Sequence, residues 1–189
     1  MSDAVTLQSF DIGVAWSVRG DVRRTAFVSE TERTLGLALP TEPGTTIGAG
    51  LTMGRKSVAF GPALLALGPT SWLFVATSPG SPPDFDTSRK AINAAGGALF
   101  DVSASNVAWS ISGEKVERIL NSACPLDLDM RAFPIGHCTQ SLLGHVGALF
   151  YRVAQSAFIV MAARSFAVDV ERDLQSFVNQ SSTSTHVGA

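Results

Sequence analysis

The chain has 189 residues, of which 46% are hydrophobic and only 16% charged, with a formal net charge of −2. That length suits one domain or two small subdomains, and the charged fraction is well below the ~25% usual for soluble domains. With no run of Lys and Arg there is no electrostatic footprint for nucleic acid, and the longest apolar run, Ser57 to Gly68, is interrupted by Gly61-Pro62 and too short to cross a bilayer.

So few charges imply that some apolar surface is covered by something else, as in obligate subunits. Abundant Ala, Gly and Ser allow a second reading, a compact core under small surface residues. The start, Met-Ser-Asp-Ala-Val-Thr, lacks the basic and apolar regions of a signal peptide. Two cysteines in that setting are expected to be reduced thiols in a cytoplasm.

In chain order, Phe10 to Val18 predicts a strand, with Ile12, Val14 and Trp16 alternating. Ser29-Glu-Thr-Glu32 predicts a capping box opening a short helix that Gly36 and Pro40 stop. Pro43 to Gly54 predicts a turn region. Its Gly48-Ala-Gly50 and Gly54 resemble a phosphate loop, but neither a leading strand nor a following helix is expected there. Ser57 to Leu67 and Ser71 to Ala76 predict two strands, and Asp86 to Ala95 a helix ended by Gly96-Gly97. Ala98 to Val102 and the alternating Val107, Trp109 and Ile111 predict two more strands. Ser112 is expected to cap a helix that Pro125 stops. Leu142 to Val153 and Ala157 to Ala162 are apolar on both faces and predict central strands. Ser165 is expected to cap a final helix carrying Phe166, Val170, Leu174 and Phe177 on one side.

Helices alternating with strand pairs predict an α+β fold of two β-α-β-β-α-like halves. Residues 1–96 and 97–180 are expected to pack as one unit, with 181–189 a disordered tail.

The residues that most need a chemical reading lie between Cys124 and His145, which hold both cysteines and two of the three histidines. Cys124, His137, Cys138 and His145 match no common zinc spacing, and adjacent His137 and Cys138 point apart in an extended chain. A thiol nucleophile needs a base within reach. Cys138 has His137 on the wrong side, and Cys124 ends a helix, where the dipole disfavours a thiolate. Both cysteines read as small buried hydrophobes. Asp127 and Asp129 lie in a proline-flanked loop, where Asp127 is expected to brace the backbone, and His137 beside Gly136 to hold a turn. Trp16, Trp72 and Trp109 sit in alternating strands and read as core.

Cys124-Pro125-Leu-Asp127-Leu, then Arg131-Ala-Phe133-Pro134-x-Gly136-His137-Cys-x-Gln-x-Leu-Leu-x-His145, then Arg164-Ser-Phe-Ala167 together resemble the gamma subunit of heterotetrameric sarcosine oxidase. Gly36-Leu-Ala-Leu-Pro-Thr-Glu-Pro43 and Gly68-Pro-Thr-Ser-Trp-Leu73 resemble that family's first half. The resemblance implies a fold like the folate-binding aminomethyltransferase domain, with Phe100-Asp-Val-Ser103, Ile111-x-Gly113 and the helix to Leu120 in its opening elements. Those folate enzymes carry an aspartate-bearing strand, whereas Thr139 to Arg152 here holds no Asp or Glu. The resemblance thus implies the architecture without the chemistry.

It further implies a structural subunit of a flavin-dependent complex that oxidatively demethylates sarcosine to glycine, releasing peroxide and formaldehyde or methylene-tetrahydrofolate. Alpha, beta and delta subunits are the implied partners. FAD, FMN, NAD and zinc, with tetrahydrofolate as co-substrate, are expected on those chains and none on this one. Cys124, Pro125, Asp127, Phe133, Pro134, Gly136, His137 and Arg164 are then expected to shape a docking motif. Two other readings stand beside this one: the equivalent subunit of a related N-methyl amino acid dehydrogenase, and a stand-alone folate-binding enzyme.

Overall fold

In the computed structural model, residues 5–48, 51–53, 58–76 and 82–183 are described. The strands are β1 (Thr6–Phe10), β2 (Val14–Arg19), β3 (Thr46–Gly48), β4 (Leu51–Met53), β5 (Val58–Phe60), β6 (Ala63–Gly68), β7 (Ser71–Ala76), β8 (Ala98–Asp101), β9 (Asn106–Ser112), β10 (Cys138–Leu143), β11 (Val146–Ala154) and β12 (Ala157–Ala163). The α-helices are α1 (Thr25–Leu35), α2 (Phe85–Ala94), α3 (Val116–Ala123) and α4 (Ala167–Thr183). The class is mixed α and β, with two five-stranded antiparallel sheets, β3-β6-β7-β2-β8 and β1-β9-β12-β11-β10, and the separate pair β4-β5.

The chain forms two compact units. Asp11–Ser105 is one; the described residues of Met1–Phe10 and Asn106–Ala189 are the other. The expected cut after residue 96 is thus corrected. β8 stays with the first sheet by pairing β2, and β1 leaves its own half to pair β9. The cause is a break inside the predicted Phe10–Val18 strand. Asp11 accepts the Gly13 N–H at 3.0 Å and Gly13 takes φ 74°, so the chain turns and β1 and β2 enter different sheets.

Each unit has the same plan. A strand leads to a helix, then to three antiparallel strands and a second helix; the fifth strand pairs beside the first. In residues 11–105 the series is β2, α1, β3, β6, β7, α2, and β8 is the fifth strand. In the other unit it is β9, α3, β10, β11, β12, α4, and the fifth strand is β1, taken from the chain's start. The predicted β-α-β-β-α halves therefore lack a strand each. One missing strand is β3. The other was hidden in the Leu142–Val153 run, which is the end of β10, a Gly144-His145 turn and β11. Leu143 pairs Val146 across that turn, and glycine alone has positive φ there, 57° at Gly144. A glycine at the first turn position is what a two-residue II′ hairpin requires. Gly61-Pro62 likewise splits the predicted Ser57–Leu67 strand into β5 and β6.

The helix starts also differ from the predicted caps. α1 begins four residues before Ser29, after Asp21 accepts the Arg23 N–H and its carbonyl the Arg24 N–H. Ser112 ends β9, and Ser165 lies in a 3-10 turn (Arg164–Phe166) ahead of α4. α4 reaches Thr183, so residues 181–183 are helical where a disordered tail was expected; 184–189 lie outside the described residues. Of the phosphate-loop resemblance, residues 49, 50 and 54 also lie outside them. Contrary to expectation a strand, β3, leads in; the element that follows, β4, is a strand and not a helix, in line with the expectation.

Each unit has its own core. Trp16, Phe27, Trp72, Phe74, Ile92 and Leu99 are among those of residues 11–105. Trp109, Leu120, Leu128, Phe133, Phe150, Phe158 and Leu174 are among those of the other unit. All three tryptophans are buried, as read from their alternation. Among the described residues no helix is long and apolar enough to cross a membrane.

Candidate functional site

The stretch from Cys124 to His137 is a loop folded over one arginine. α3 stops at Ala123, and Cys124 takes extended angles (φ −139°, ψ 153°) because Pro125 excludes the helical region for the residue before it. The loop then makes local bonds. Asn121 accepts the Leu128 N–H at 3.0 Å, and Asp127 the Asp129 N–H at 3.0 Å. Asp129 accepts from the Arg131 N–H and, by its carbonyl, from Phe133 at 2.8 Å. Its carboxyl lies below the ordinary aspartate range because Arg131 donates to it from side chain and backbone. His137 closes the last turn with its main chain, donating N–H to the Pro134 carbonyl at 3.0 Å, after Gly136 at φ 87°.

Arg152, from β11, occupies the centre and is fully buried. Its Nη1 donates to the carbonyls of Leu128 (2.9 Å) and Phe133 (2.8 Å). Its Nη2 donates to Glu117 Oε2 (2.6 Å) and to the Gln155 carbonyl (2.9 Å). The guanidinium lies 4.7 Å from the centre of the Phe158 ring, which stacks on Phe133. A buried cation persists only when paired and hydrogen-bonded, and here four oxygens and an aromatic face answer it. A shift of register between Arg152 and Ala154 marks a bulge, a device that re-aims a side chain.

The same backbone pattern occurs in the other unit. Gly44 (φ 86°) donates to Ala66, Ala66 to Thr45, and Thr45 to Glu42; Gly136 donates to Arg152, Arg152 to His137, and His137 to Pro134. Glu32 accepts the N–H of Leu39, seven residues on, as Asn121 does for Leu128. There the strand residue is alanine, and the Trp72 indole donates to the Pro40 carbonyl at 2.8 Å. The second loop is longer between its buried leucine and its glycine, and Arg152 supplies the donors that its extra carbonyls need.

Cys124 and Cys138 are buried thiols, neither in a disulfide, as expected of small hydrophobes, and burial pushes the Cys124 thiol up. Burial likewise raises Tyr151, which faces Cys138 across β10 and β11. His145 is exposed in the hairpin turn, away from the loop's bonds. Among the described residues no three His, Cys, Asp or Glu side chains gather closely enough to hold a metal ion. Of the expected docking residues, Phe133 is buried against Phe158, with the His137 ring edge-on to it at 6.0 Å. Pro125 is exposed. Arg164 is exposed on the 3-10 turn, bonding the Asn106 carbonyl at 3.2 Å. Sequence reading passed over Arg152, though a lone charge in an apolar strand is the signal that singles it out.

No family model matches the chain. In sequence it is similar to three sarcosine oxidase gamma subunits. That of Corynebacterium sp. (strain U-96) is 27% identical over 76% of this chain and 74% of its own length. That of Arthrobacter sp. is 28% identical over 67% and 57%. That of Corynebacterium sp. (strain P-1) is 26% identical over 70% and 60%, so the chain spans less than two thirds of these two relatives. In fold it is similar to a chain of heterotetrameric sarcosine oxidase from Corynebacterium sp. U-96, with TM-score 0.80 and 22% identity over 94% of this chain and 85% of that one. Aminomethyltransferase T of the glycine cleavage system from Bartonella henselae shares the fold more distantly, with TM-score 0.60 and 12% identity over 90% of this chain and 45% of that one. The resemblance carried by the motifs thus stands on sequence and fold together: this chain is similar to the gamma subunit of sarcosine oxidase.

Proposed function

We propose that this chain is a structural subunit of a cytoplasmic, heterotetrameric, flavin-dependent oxidase that demethylates sarcosine to glycine on partner chains. The observation that carries the reading is the similarity to three gamma subunits, joined to a fold match over nearly the whole chain. The low charge fraction supports it independently, since a subunit buried in an assembly needs fewer charges to stay hydrated. In this reading FAD, FMN, NAD and zinc belong to the alpha, beta and delta partners, and the loop over Arg152 holds a docking surface in shape.

The aminomethyltransferase-like fold raises tetrahydrofolate as a ligand, and the residues present do not fit that chemistry. Strands β10, β11 and β12 carry no carboxylate, and the guanidinium of Arg152 is occupied by its own loop. No step through folate is assigned to this chain.

The test is co-expression with alpha, beta and delta subunits and mass measurement of the intact particle. The expected result is one copy of this chain in an active oxidase. A soluble monomer left beside an assembled, active oxidase overturns the reading. So does saturable tetrahydrofolate binding to the chain alone with turnover.

A further inference from the structure

Among the described residues β10 is an edge strand, paired only with β11. The Arg152 N–H bond to the His137 carbonyl sets the phase of that ladder. Pairs two residues apart repeat it, so Thr139, Ser141 and Leu143 bond inward, while Gln140 and Leu142 aim their N–H and C=O groups away from the sheet. Natural sheets blunt such edges with charge, proline, short length or cover. This one has none of the first two: Ala132 to Tyr151 contains no Asp, Glu, Lys or Arg, and β10 contains no proline. Leu142 is 48% exposed, and Ile135, just before the strand, 54%. The other edges of the five-stranded sheets differ. β3 has three residues, β8 ends in the charged Asp101, and α4 packs against β1.

We infer that the outer edge of β10 receives an extended, uncharged strand from a partner subunit. The unpaired N–H and C=O groups at alternate residues fit only another strand, by β-strand addition. The neutral, partly apolar rim selects against a charged segment, which would lose hydration there with no opposite charge to meet. The inference rests on the reading that this chain is a subunit, and it names the surface by which it joins.

Gln140→Pro removes an outward N–H without touching the bonds to β11, a position where edge strands tolerate proline. Leu142→Lys adds the charge that edges ordinarily carry, and Gln175→Lys, exposed on α4, is the control. Each full-length variant is co-expressed with the alpha, beta and delta subunits, and the particle is weighed intact; the isolated chains are compared by thermal melting. The expected result is loss of this chain from the particle for the two edge variants, unchanged melting of the isolated chains, and normal assembly for the control. Hydrogen exchange at Gln140 and Leu142 is expected to slow on assembly of the wild type. Normal assembly of both edge variants overturns the inference. So does a wild-type chain whose edge pairs a second copy of itself, seen as a homodimer lost in the variants. If the wild-type chain never joins the particle, the subunit reading itself fails, an outcome distinct from failure of the edge alone.

Discussion

Arg152 shows how one side chain can set a loop's shape. Its guanidinium satisfies the carbonyls of Leu128, Phe133 and Gln155 and pairs with Glu117, so removing it leaves several buried acceptors and a partly buried carboxylate unanswered. Arg152→Met is expected to cost about 3–5 kcal/mol of unfolding free energy, the range for breaking a buried pair from one side. Urea denaturation of the isolated chain measures this, and a loss under about 1 kcal/mol would contradict the role. Arg152→Lys is expected to lose nearly as much, since an ammonium cannot present two nitrogens to four acceptors in the fork geometry. Asp127 and Gly136 were legible in this loop because each acts through its own backbone: Asp127 two residues ahead, Gly136 through its angles. The arginine was not legible, because its partners lie 3 to 35 residues away and only the fold gathers them.

At the scale of elements, α2 carries two checks. Asp84 caps it, accepting the Thr87 N–H at 2.9 Å, and the bonds from Thr87 hold its carboxyl below the ordinary 3.8. A folded value below the unfolded one means that the contribution is present above the ordinary carboxylate range and disappears as pH falls through the folded value. Asp84→Asn keeps an acceptor but not the charge. It is therefore expected to melt lower than wild type at pH 7, and the gap to close below pH 3.8, which thermal melts across pH will show. Gly97 ends the same helix by donating to Ile92, and a Cβ there would lie 2.5 Å from the Phe27 ring. Gly97→Ala is expected to cost about 1–3 kcal/mol through overpacking, read from the denaturation midpoint. The Gly96-Gly97 stop was legible because glycine after an apolar helical run has a known backbone use. The starts of α1 and α3 were not. Ser29 and Ser112 fit the capping pattern, yet Ser29 lies inside a helix that starts earlier and Ser112 inside a strand paired on both sides. Tertiary pairing outweighs a local cap worth about 1 kcal/mol.

Across the whole molecule, the two units repeat one plan, and the chain's beginning completes the sheet that its end builds. Deleting residues 1–10 would strip β1 from β9 and remove Val5 and Leu7 from the core around Trp109. The deletion is expected to lose hydrogen-exchange protection along β9 and α4 while β2, β6 and β7 keep theirs. Equal loss in both sheets would contradict the two-unit division. The sequence by itself determined the mixed class, the buried tryptophans, the helix stops at Gly36, Gly96 and Pro125, and the resemblance in the Cys124–His145 and Arg164–Ala167 motifs. Each is written in composition, in period or in residues next to one another. Only the tertiary structure decided that β1 crosses to the far sheet, that Arg152 organises the loop, and that the stretch first notable for its thiols and imidazoles has a backbone twin around Gly44. Those facts depend on pairings between distant residues, and the local pattern of an apolar strand is the same whichever sheet it joins.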